Sequence, residues 1–147
     1  MTQPTRRRLL QSALAVVTAL AGATAQAHEY YAAQFVIVHP WALPTEPDTT
    51  ESPIYFRIEN IGATDRLLRC NAAWADSIEL RAGDDAKAPA LKALPFGPGA
   101  DLDFIAGKPH LLVKGLKAPF DYGHSYNMTM VFEKAGAINV MISVGAH

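Results

Sequence analysis

Five histidines carry the chemistry this chain offers: His28, His39, His110, His124 and His147. His28 follows Ala25-Gln26-Ala27, which has the small-x-small form of an export cleavage site. If cleavage falls after Ala27, His28 becomes the first residue. A terminal histidine presents two nitrogens to one ion, the α-amine and the ring Nδ1. With one further imidazole it makes the T-shaped copper centre called a histidine brace. Amine and imidazole are borderline ligands suited to Cu(II). The rest of the chain must supply the second ring and hold it near.

Residues 1–27 contain Arg6-Arg7-Arg8, an apolar run from Leu9 to Leu20 and the cleavage site, the three zones of a secretory signal. The run is short for a membrane span. Thr5 to Gln11 also approximates a twin-arginine signal, so export by Sec or by the twin-arginine route stays open. The expected organisation is a signal peptide over 1–27 and one domain over 28–147, located in the periplasm. Without the signal, ten Lys and Arg face 14 Asp and Glu, a net charge of −4. A mildly acidic domain lacking a basic stripe argues against nucleic-acid binding. Cys70, the single cysteine, cannot form an internal disulfide, and the strand-like stretch Leu67-Leu68-Arg69-Cys70-Asn71 predicts a buried thiol.

Short β-branched and aromatic runs divided by Pro and Gly recur through the domain. Tyr30 to His39 reads as a strand stopped by Pro40, and Trp41 to Pro53 as a loop. Further strands are expected at 54–60, 66–73, 77–81, 110–116 and 138–144. Leu91 to Phe96 and Ala100 to Ile105 flank the turn Gly97-Pro98-Gly99. In 125–133, Tyr126, Met128, Met130 and Phe132 alternate onto one face, which predicts core packing for both methionines rather than a metal site. No long helical period interrupts these strands. The predicted fold is all-β, an Ig-like or cupredoxin-like antiparallel β-sandwich.

Several motifs occur in a telling order: His39-Pro40-Trp41-Ala42, the strand 54–60 with Gly62, Ser77-Ile78-Glu79-Leu80, the Gly-Pro-Gly turn, His110 to Lys117, and Phe132-Glu133-Lys134-Ala135-Gly136. In that order, behind a signal peptide, the chain resembles the periplasmic copper chaperones called PCu(A)C. The resemblance implies a cupredoxin-like domain that binds one copper ion and delivers it, with a periplasmic or membrane cuproenzyme as acceptor, as a monomer or weak dimer. It also implies a Cu(I) site made from a histidine after the Glu-Leu strand, methionines in the next loop and a final His-x-Met. Here Arg81 stands at the first histidine position, residues 79–94 hold no methionine, and the last element is His110-Leu111-Leu112. Loss of the soft thioethers disfavours Cu(I). Weight moves to His28, as in relatives of the family that resemble a brace.

Extended, the eleven steps from His28 to His39 would span ~36 Å. These two rings could then meet only between chains or through a bent strand. Alternating strands would put His28 and His110 at one end and His39, His124 and His147 at the other. The expected metal ligands are therefore His28 and His110, with His39 as the second choice of partner and Asp84, Asp85 or Asp103 as a weak oxygen donor. Trp41 and Trp74 are expected in packing, His124 in an exposed turn and His147 at a frayed end. No enzyme activity is expected. The competing readings are a metal-free interaction module and a small brace-type copper oxidase; a blue-copper carrier is rejected because Cys70 lacks the His and Met spacing of such a ligand loop. Mass spectrometry of the exported protein should find His28 as the first residue, and a chain retaining residues 1–27 would refute the cleavage assignment.

Overall fold

The computed structural model describes residues 28–145; residues 1–27, expected as the export segment, and residues 146–147 lie outside the described residues. Ten strands follow one another: β1 (Glu29–Tyr31), β2 (Val36–Ala42), β3 (Glu51–Glu59), β4 (Asp65–Asn71), β5 (Ala75–Arg81), β6 (Leu94–Phe96), β7 (Leu102–Phe104), β8 (His110–Leu116), β9 (Ser125–Phe132) and β10 (Gly136–Val144). The all-β expectation holds, and no helix occurs among the described residues. They form one sheet in the order β1-β2-β10-β9-β4-β5-β8-β3-β7, and an added β2–β3 pairing closes it into a flattened barrel. Every pairing is antiparallel except β2 with β10, where Ser143 lies beside Trp41 and Val144 beside Ala42.

Period-two alternation makes the core. On β3, Ser52, Ile54, Phe56 and Ile58 point inward, while Pro53, Tyr55, Arg57 and Glu59 are more open to solvent. Ile37, Ile54, Ile58, Leu67, Leu111, Val113, Met130, Val140 and Ile142 are wholly buried. Each such side chain contributes roughly 1.5–3 kcal/mol of transfer free energy. Met128, Met130 and Phe132 lie in this core as their alternation predicts. Gly115 in β8 has φ +64°, and a Cβ there would lie 2.1 Å from the Asp76 carboxylate, so only glycine fits beside β5.

Two sequence expectations are corrected. Tyr30 to His39 is a hairpin rather than one strand: Ala32 N–H donates to Phe35 C=O at 2.9 Å, and β1 folds back on β2 with Glu29 opposite Val38. Two alanines and a glutamine at 32–34 supply little apolar surface to hold an extended run in the core. Nor does β2 stop at Pro40. It passes through a bulge between Val38 and Trp41, where His39 adopts φ 49°. A proline fits inside a strand at such a break, where no ladder N–H is needed. The strands flanking the expected turn Gly97-Pro98-Gly99 do not pair with each other. β6 pairs with β4 and β7 with β3, so the turn carries the chain between separate parts of the sheet.

Asp65 ties β4 to the β9–β10 turn. Its carboxylate accepts N–H bonds from Arg66 at 2.7 Å and from Lys134 and Ala135 at 2.9 Å each. Burial pushes its pKa up, but these three bonds and the Lys134 charge outweigh it and hold the group below the usual carboxylate value. A depressed folded-state pKa gives stability that is present above the unfolded value near 4 and lost as pH falls through the folded one. Asp65→Ala should therefore lower unfolding free energy by about 2 kcal/mol at pH 7, with the gap to the parent closing at pH 2–3 in urea titrations. An equal gap at both pH values would remove the carboxylate charge as the cause.

Candidate metal centre

Two places gather the histidines, and they are separate. The first is the open end of the β1–β2 hairpin. Continuing the register from Glu29 opposite Val38 brings His28 opposite His39. The His39 N–H donates to the His28 C=O at 2.8 Å. Directly opposed residues of an antiparallel pair have Cβ atoms about 5 Å apart. The extended separation expected for these two histidines is thus corrected: the hairpin turn folds it away within one chain. His28 is exposed and His39 half-buried.

β2 changes partners at this point. Along one edge it pairs with β3. Along the other, Val36 to Val38 pair with β1, and Trp41 and Ala42 with β10. The bulge at His39-Pro40 lies between those two partners. There the Tyr30 hydroxyl accepts the Met141 N–H of β10 at 2.7 Å. The hydroxyl stands where a ladder carbonyl would, so the β10 edge is satisfied although β2 has bulged away.

The second place lies across the sheet. His110 opens β8 opposite Arg81 of β5, and Leu112 stands opposite Glu79. Both His110 and Arg81 belong to the outward set of their strands, since Leu111, Val113, Ile78 and Leu80 point inward. They are nevertheless buried, at 7% and 8% exposure. The excursion after β5 covers them: Leu91 N–H returns to Leu80 C=O at 2.8 Å, and Arg81 donates to the Asp85 carbonyl at 2.8 Å. The result is a depression of about 260 Å³ bordered by Tyr55, Arg81, Asp84, Asp85, His110 and Leu112.

The His110 Nδ1 lies 2.9 Å from the Lys108 carbonyl. A carbonyl can only accept, so Nδ1 carries a proton, and in the neutral ring Nε2 is the lone-pair nitrogen. That is the ring state of a metal ligand. Its companions do not fit a soft ion. Leu112 has no donor atom, and the Arg81 guanidinium places a fixed positive charge in the same depression, 3.4 Å from Glu79. Burial, then the Asp84 charge, raises the Tyr55 pKa, keeping that phenol protonated. Among the described residues, no three His, Cys, Asp or Glu side chains gather to hold a metal ion.

His110 and the His28–His39 pair are divided by β3. The Trp41 and Tyr55 rings lie 5.0 Å apart, and those of Tyr55 and His110 6.1 Å apart. Asp84 and Asp85 border the His110 depression, whereas Asp103 is held on β7 by Arg57 at 2.7 Å. His124 sits in an exposed turn. Trp74 packs on Phe120 with ring centroids 5.2 Å apart, as a packing tryptophan should. Cys70 is 4% exposed, and burial pushes its thiol up to about 12, so it offers no thiolate to a metal. The hairpin and the hydroxyl of Tyr30 were missed in the sequence. The small residues at 32–34 were the available signal for the first; nothing local announced the second, whose partner is 111 positions away.

Comparison with known proteins gives this architecture a family. The LpqE-like family model matches residues 35–144. The chain belongs to that family. The PCu(A)C resemblance read from the motifs is borne out by solved structures. The apo PCuAC domain from PmoF1 superposes with TM-score 0.73 at 22% identity, covering 82% of this chain and 100% of that one. The copper-bound PCuAC domain from PmoF2 gives 0.70 at 26% identity, covering 82% and 99%. The solution structure of CuI-DR1885 from Deinococcus radiodurans gives 0.60 at 21%, covering 83% and 82%. A search of curated protein sequences finds no match.

The donor set around His110 yields a direct test. Arg81→Met with Leu112→Met would replace the cation and the inert side chain by thioethers beside a prepared Nε2. Cu(I) affinity, measured by chelator competition under reducing conditions, should rise by at least about tenfold. An unchanged affinity would show that the two side chains are not what makes the depression unfit for Cu(I).

Proposed function

We propose that the mature protein is a periplasmic copper-binding protein of chaperone type that takes up one Cu(II) through its N-terminus. Cleavage after Ala27 would free the His28 α-amine; amine and Nδ1 would chelate the ion, and the His39 ring would supply the third nitrogen. The single observation that carries this choice is the 2.8 Å bond between His39 N–H and His28 C=O, which brings the two residues together within one chain. It favours His39 over His110 as the partner of His28, reversing the preference drawn from strand direction alone.

Chemistry supports the same division. Three nitrogen donors suit Cu(II), and thioethers suit Cu(I). The depression at His110 offers one imidazole and no thioether, with the Arg81 guanidinium beside it, a set that does not suit Cu(I). Membership of the LpqE-like family and likeness to a copper-bound domain agree with copper as cargo. The copper is bound and handed on to a cuproenzyme rather than used for oxidation, and the chain is read as a carrier, not an enzyme.

Electron paramagnetic resonance of the mature protein with one equivalent of Cu(II) should give a single nitrogen-ligated species. One residue added before His28 should abolish that species and weaken binding by at least about a hundredfold, because the amine becomes an amide. His39→Ala should alter the spectrum and His110→Ala should leave it unchanged. The reading fails if the extended protein keeps the parent spectrum and affinity.

A further inference from the structure

Resting on the N-terminal copper reading, we infer that Tyr30 is the positioning residue of the site: its hydroxyl fixes the first strand to the last and so holds His28 against His39. β1 has only three residues, and among the described residues it pairs with β2 alone. A three-residue terminal strand frays unless something ties it down. Its flanking tyrosines differ sharply. Tyr31 is 75% exposed, and its hydroxyl reaches only Glu29 within the same strand. Tyr30 is half-buried, packs against the core and accepts the Met141 N–H at 2.7 Å.

The place of that bond gives it its effect. Met141 belongs to β10, which takes over the edge of β2 just beyond the bulge, from Trp41 onward. β1 covers the same edge up to Val38. Tyr30 spans the gap between them, two residues from His28. In a strand, residues two apart share a face, so the Tyr30 anchor and the His28 side chain leave β1 on the same side. Losing the hydroxyl strands the Met141 N–H and frees β1 to fray, with His28 at its tip. The chelate of amine and Nδ1 is internal to His28 and would survive. The third nitrogen, from His39, depends on the two strands staying in register.

Tyr30→Phe keeps the ring and removes the bond, and Tyr31→Phe is the matched control. Mature proteins are loaded with one equivalent of Cu(II) and studied by electron paramagnetic resonance and chelator competition, with amide exchange at His39 followed in parallel. Tyr30→Phe should speed His39 exchange, weaken Cu(II) by about tenfold and add a second spectral species matching that of His39→Ala. Tyr31→Phe should match the parent. Faster exchange with unchanged spectrum and affinity would make Tyr30 merely structural and overturn the inference. So would Tyr31→Phe having the same effect. Failure of the N-terminal copper reading appears separately, as a parent spectrum indifferent to a residue added before His28.

Discussion

One strand, β2, has to serve three neighbours, and much of the molecule follows from how it does so. It closes the barrel by pairing with β3 on one edge. Its other edge is shared between β1 and β10, which approach from opposite ends of the chain and in opposite senses, one antiparallel and one parallel. A regular strand could not pass from one pattern of hydrogen bonds to the other without leaving groups unpaired. The bulge at His39-Pro40 absorbs the mismatch. It needs a residue at positive φ, here His39 at 49°, and next to it a residue with no N–H to satisfy. The residues that solve this backbone problem are also those nearest His28.

The outer face of β5 and β8 shows a different constraint. Side chains that alternation turns outward are ordinarily wet, yet Arg81 and His110 are covered by the excursion after β5. A covered outward face is a small chamber whose contents are set by very few side chains. Arg81 decides its character. Its guanidinium is bonded to the Asp85 carbonyl and faces Glu79, which fixes a cation in the chamber. A single arginine thereby sets the charge beside the His110 imidazole, whose Nδ1 is turned to the Lys108 carbonyl.

Much of this could be read from residues in order. Alternation identified β9 and most of β3 and placed Met128 and Met130 in the core, because each strand has one buried face and the pattern records it directly. Motif order pointed to the right family. The failures came where two segments distant in sequence act together. Pro40 reads as a stop because prolines break ladders, but a bulge tolerates it. Gly97-Pro98-Gly99 was a true turn, though its flanking strands pair elsewhere. The pairing of His28 with His39 depended on a bend at 32–34 that no proline or glycine marks.

The bond from Tyr30 to Met141 joins residues 111 positions apart. Contacts so far apart in sequence must close a long loop, and topologies dominated by them fold slowly. The β1–β2 hairpin is local and can form early, but its tie to β10 must wait until β10 exists. A chain that still lacks β10 would carry the hairpin of β1 and β2 without the anchor at Tyr30. Completion of the barrel is thus what fixes the first strand, so order at the N-terminal edge reports on the last strand of the chain.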